Sequence, residues 1–89
     1  MKQLDVRIAN RLGLHARAAA RFVHLANRFS ARISVAKGDS RVNGKSILGL
    51  LTLAAQEGAT LRLVAEGEDE LQALAELQAL VRDRFGESS

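Results

Sequence analysis

The sequence predicts an α+β domain over residues 1–89, with helices covering one side of a four-stranded sheet in the order β-α-β-β-α-β-α. Three observations predict it. Apolar residues alternate with polar ones in several short runs, as in half-buried strands. Between and after those runs the apolar spacing changes to three and four residues, as on one face of a helix. The chain has 89 residues, of which 47% are hydrophobic and 26% charged, an ordinary soluble balance with length for one domain only. Short strands cannot bury a face alone, so the helices must supply the second layer.

The elements follow in order. Leu4, Val6 and Ile8 alternate with Gln3, Asp5 and Arg7, a half-buried strand that Asn10-Arg11-Leu12-Gly13 interrupts. From Ala16 to about Phe29, residues Ala19, Phe22, Val23, Ala26 and Phe29 share one helical face, and Arg17, Arg21, His24 and Arg28 share another. Alanines 18 to 20 favour the helix. Ala31, Ile33 and Val35 give a second strand, Gly38-Asp39 a two-residue turn, and Ser40 to Val42 a short third strand that Asn43-Gly44 ends. Ser46 is the expected N-cap of a short helix carrying Ile47, Leu48, Leu50 and Leu51, which Glu57-Gly58 follows. Leu61, Leu63 and Ala65 form a fourth strand. Glu66, Glu68, Asp69 and Glu70 put negative charge where a last helix begins, which its dipole favours. Ala73, Leu74, Leu77, Leu80 and Val81 are its buried stripe, and Gly86 its expected stop.

Composition narrows the function classes. A chain this short cannot build a large enzyme with a deep enclosed cleft. It has no cysteine, so no disulfide frame, no thiolate nucleophile and no Cys-based zinc site, and with two histidines a metal is not expected. Its apolar runs are far short of about 18 residues, so no membrane insertion is expected. The start, Met1-Lys2-Gln3-Leu4-Asp5, lacks the apolar core of a signal peptide, which places the chain in the cytoplasm. Charge is asymmetric. Residues 1–45 hold ten basic and two acidic groups, and residues 46–89 hold three basic and eight acidic ones. The positive half attracts phosphates or acidic proteins. Nucleic acid fits that charge. However, without Trp or Tyr, and with only three Phe, the chain lacks platforms for stacking bases, which leaves contact through duplex phosphates.

His15 carries the sharpest chemistry. In Gly13-Leu14-His15-Ala16-Arg17 it stands where a loop meets a helix start. Free backbone N–H groups and the positive dipole end disfavour the imidazolium there, keeping a lone pair available, and the same amides suit a phosphoryl group. Arg17 adds a charge-assisted contact to phosphate oxygens, and Gly13 permits a tight turn that leaves the ring uncrowded. These parts suit a histidine that accepts a phosphoryl group and passes it on. Locally they also suit an ordinary surface or capping histidine beside a solvated arginine, the commoner situation. Gly44-Lys45-Ser46 ends like a phosphate-binding P-loop, but position 39, where that motif needs glycine, is Asp.

Three runs resemble one family. Asn10-Arg11-Leu12-Gly13-Leu14-His15-Ala16-Arg17-Ala18-Ala19 resembles the active-site motif of HPr proteins, histidine-containing phosphocarriers of the bacterial phosphoenolpyruvate-dependent phosphotransferase system. Asn43 to Leu53 resembles the family's regulatory serine segment, and Ala65-Glu66-Gly67-Glu68-Asp69-Glu70 its lead into the final helix. The resemblance implies an open-faced β-sandwich with an antiparallel sheet and three helices on one face. It implies that His15 takes a phosphoryl group on Nδ1 from phosphorylated enzyme I and hands it to an enzyme IIA component of a sugar or nitrogen-branch system. Arg17 would hold the phosphate. Ser46 would be the target of an HPr serine kinase/phosphorylase in lineages that have one. One departure is Ala18, where the family usually has proline; it leaves an additional free N–H and a slightly less rigid helix start.

Ser46 therefore has two roles to fill: an N-cap, and a phosphorylation site whose charge would fall on a partner-binding face. Arg21 extends the positive side around His15 and is expected in docking, His24 less so. Ile47, Leu48 and Leu51 cannot all be buried in so small a domain, and an exposed apolar patch marks a partner site. The leading reading is a monomeric covalent intermediary rather than a complete enzyme, needing no cofactor. The alternatives are a regulatory binding module controlled through Ser46 and, third, a basic nucleic-acid binder.

Overall fold

The alternation seen in the sequence becomes one antiparallel sheet. The computed structural model describes residues 1–89. Strands β1 (Lys2–Arg7), β2 (Arg32–Lys37), β3 (Ser40–Asn43) and β4 (Thr60–Glu66) pair in the order β1-β4-β2-β3. Register follows the pattern of apolar residues. Leu4 stands opposite Leu63, Leu63 opposite Val35, and Val35 opposite Val42, a continuous apolar row on the inner face. One residue along, Asp5, Arg62, Ala36 and Arg41 form the matching row on the open face, where Arg62 and Asp5 approach to 3.5 Å. A slip of one residue would exchange the two rows, so burial specifies the pairing.

Helices α1 (Ala16–Ala26), α2 (Ile47–Thr52) and α3 (Glu70–Arg82) cover the inner face, making an open-faced β-sandwich. From α1, Ala18, Ala19, Phe22 and Ala26 are buried; from α3, Ala73, Leu74, Leu77 and Val81. Each large apolar side chain among them contributes roughly 1.5–3 kcal/mol. Leu80, expected in that stripe, is only partly buried.

Two expectations need correction, and two acidic residues do more than expected. Helix α1 ends at Ala26 rather than near Phe29; Phe29 stays buried, but in the turn that follows. Apolar spacing registers burial on both sides of a helix end, so it could not mark the stop. Helix α3 ends at Arg82, and Gly86 closes a separate 3₁₀ turn, Arg84–Gly86. Asp69 does more than complement a dipole: its carboxylate reaches across to accept from the Ser30 and Ala31 amides at 2.9 Å each, pinning the start of β2. Glu70 turns back to accept from the Gly67 amide at 3.0 Å.

Candidate functional site

The loop after β1 is built to aim the start of α1. Asn10 is the one buried polar side chain in the fold. Its Nδ2 donates to the Gly13 carbonyl at 2.7 Å, and the Gly13 amide donates to the Asn10 carbonyl at 3.2 Å. Gly13 has φ of +70°, and a Cβ there would lie 2.5 Å from the Ala55 carbonyl oxygen. That carbonyl accepts from the next amide, Leu14, at 2.9 Å. Glycine is therefore required by the close passage of the segment after α2, and not by the space around the ring.

This loop delivers His15 as the N-cap of α1, in extended conformation, with its carbonyl accepting from the Ala19 amide at 2.8 Å. The ring does not cap the helix. The amides of Ala16, Arg17 and Ala18 make no hydrogen bond within the protein, so the helix start keeps its donors and the positive end of its dipole.

The ring is only about a quarter exposed (24%), less open than the sequence led one to expect, because its Nε2 lies 2.5 Å from Oε2 of Glu87. The other oxygen of Glu87 accepts from Asn10 Nδ2 at 2.9 Å, and Arg17 Nε lies 3.9 Å from Oε2. These neighbours hold the Glu87 carboxyl below the usual carboxylate range. The Asn10 hydrogen bond is the largest cause; partial burial opposes it, and the His15 hydrogen bond and the charges of His15 and Arg17 add to it. In the neutral ring a carboxylate facing Nε2 needs the proton on that nitrogen, which leaves the lone pair on Nδ1. Nδ1 has no partner in the protein.

Neither Asn10 nor Glu87 was recognised as a site residue from sequence. Glu87 arrives through a hook in which Arg84, Phe85 and Gly86 take φ values of +57°, +54° and +80° in succession. Phe85 is buried, and its carbonyl accepts from Nη1 of Arg21. The one available signal was Gly86; no pattern announces two non-glycine residues in the left-handed region.

The expected site residues divide. Arg17 is exposed beside the ring, and Arg21 ties the tail to α1. His24 is exposed one turn further on, and Arg17, Arg21 and His24 border a groove with Ala20, Leu25 and Leu80. Helix α2 packs against α1 and presents Leu48, 77% exposed, and Ile47, 40% exposed, while Leu51 is half-buried. Ser46 stands at the start of α2, where its Oγ accepts from the Gly49 amide at 3.0 Å.

A histidine with one free ring nitrogen, displayed at an uncapped helix start on an open-faced sandwich, defines a small carrier domain. The comparisons with known proteins agree. The family model described as "PTS HPr component phosphorylation site" matches residues 2–83. The phosphocarrier protein HPr of Neisseria meningitidis is 46% identical over 87 residues, covering 98% of each chain. The crystal structure of HPr-C-His from Thermoanaerobacter tengcongensis superposes with a TM-score of 0.96 at 44% identity, covering 100% of both chains. The crystal structure of Crh, a catabolite repression protein of Bacillus subtilis described as a swapped dimer, gives a TM-score of 0.76 at 44% identity, covering 94% of this chain and 97% of that one. The chain belongs to the HPr family, the phosphocarriers of the bacterial phosphotransferase system.

Proposed function

We propose that the protein carries a phosphoryl group on Nδ1 of His15, received from phosphorylated enzyme I and passed to an enzyme IIA component of a sugar or nitrogen-branch system, in the cytoplasm. The observation that supports this most is the division of labour on one ring: Nε2 is engaged by Glu87 and Nδ1 is free. The Nδ1 lone pair forms the N–P bond while the bond from phosphorus to the donor breaks, its electron pair leaving with the donor. The unpaired amides at the start of α1 and the Arg17 guanidinium stabilise the added negative charge. Arg21, His24, Ile47, Leu48 and Leu51 form the docking surface, an apolar patch beside a basic helix face suited to an acidic partner. Every group named comes from one chain, so a monomer suffices. Incubation with enzyme I and labelled phosphoenolpyruvate tests the reading. Wild type acquires acid-labile, base-stable label and His15→Ala acquires none; a wild type that stays unlabelled overturns it.

A second role rests on Ser46. Its hydroxyl is half-buried at a helix start, beside the exposed Ile47 and Leu48. A phosphate there places roughly two negative charges on the proposed docking surface. Treatment with an HPr serine kinase/phosphorylase yields a protein that enzyme I labels more slowly. Unchanged labelling after stoichiometric Ser46 phosphorylation refutes that role.

A further inference from the structure

We propose that Glu87 is a positioning residue for phosphoryl transfer, holding the His15 ring with Nδ1 as the nucleophile and countering the positive charge that the ring gains when Nδ1 bonds to phosphorus. This deepens the phosphocarrier reading and rests on it. When a ring with its proton on Nε2 forms the N–P bond through Nδ1, no proton leaves and the imidazole becomes cationic. Oε2 of Glu87, 2.5 Å from Nε2, is where that charge is best compensated.

The contact is built rather than incidental. Phe85 is buried and anchors the chain just before Glu87. The Phe85 carbonyl is bound by Arg21, and the second carboxylate oxygen is bound by the buried Asn10, which also closes the loop that aims His15. One amide side chain thus sets the position of both members of the pair. Three successive left-handed residues, two of them not glycine, are needed to turn the tail back onto the ring. Such conformations cost free energy, and persist where surrounding contacts over-determine them. The charged and titratable groups facing the pair are Arg17 at 3.9 Å and Arg21 through the hook.

The test compares wild type with Glu87→Gln and Glu87→Ala, with Gly86→Ala as a variant that disturbs the hook and keeps the carboxylate. Glutamine retains an acceptor for the Nε2 proton without the charge. Two readouts are taken: nitrogen NMR of the His15 ring in the unphosphorylated proteins, and the rate of labelling by enzyme I against pH. Glu87→Ala is expected to lose the exchange-protected Nε2 proton and to slow kcat for labelling about tenfold, with KM for enzyme I unchanged. Glu87→Gln keeps the protected proton and falls between. In both, the pH profile of labelling is expected to change, because the carboxylate that faces Nε2 is gone. Gly86→Ala, strained at a φ of +80°, shifts the same quantities by less. If wild type is labelled and Glu87→Ala matches or exceeds it, with the same pH profile and ring signature, the positioning role is wrong and the carrier reading stands. If wild type takes no label, both fall.

Discussion

The starts of α1 and α2 differ in one respect that separates their roles. At α2 the N-cap serine turns its own hydroxyl onto the Gly49 amide, so one of that helix's first donors is satisfied by the cap itself. At α1 the N-cap histidine turns its ring away to Glu87, and three amides stay without acceptors. A helix N-terminus is an anion site only where nothing internal consumes its donors. The start of α3 is uncapped as well, because Asp69 is spent on Ser30 and Ala31 and Glu70 on Gly67, but no histidine ring stands there to use it. Of the three helix starts, α1 keeps three unpaired amides against two each for α2 and α3, and it is the one with a partner-free ring nitrogen beside them.

The largest expected effect exchanges the two caps. His15→Ala abolishes labelling by enzyme I, whereas Ser46→Ala, which leaves the start of α1 untouched, is labelled at near the wild-type rate. Next comes Gly13→Ala, which forces a left-handed alanine against the Ala55 carbonyl and is expected to destabilise the fold by about 2 kcal/mol or more in denaturant unfolding. Without Gly13 the open start loses its placement. Smaller still is the capping difference itself. Ser46→Ala costs about 0.5–2 kcal/mol, while His15→Ala, whose ring caps nothing, loses no such cap bond.

The smallest effect is the response to acid. Asp69, Glu70 and Glu87 all have carboxyls held below their ordinary values, chiefly by backbone amides for the first two and by Asn10 for the third. A carboxyl that binds its proton less tightly in the folded state contributes stability above the unfolded value, near pH 4, and loses it as pH falls through the lowered folded value. Melting temperature is therefore expected to hold steady down to about pH 5 and fall below about pH 4. The Glu87→Gln variant should lose less over that range.

Much of this was readable from the sequence, and for physical reasons. The apolar row Leu4, Leu63, Val35, Val42 and the buried face of α1 are local periodicities, visible in any short window. The Ser46 cap and the position of His15 are also local, since each depends on the residues that follow directly. The hydrogen bonds of Asp69 were not readable. Its partners lie 38 and 39 residues away, and an acid before a helix has a sufficient local explanation in the dipole. Glu87 was hidden more deeply. It meets His15 across 72 residues through a left-handed hook at Arg84 and Phe85, residue types that favour ordinary helix. The family motif pointed to His15 as the proposed nucleophile; only the folded tail showed why one of its ring nitrogens is free.

The most direct test of the open helix start is the amide spectrum of the protein before and after labelling by enzyme I. On phosphorylation the amide resonances of Ala16 and Arg17 should move strongly, phosphorus should couple to Nδ1, and Gly49, already bonded to Ser46, should stay in place. Phosphorus on Nε2, or α1 amides that do not respond while those of α2 do, would contradict the account.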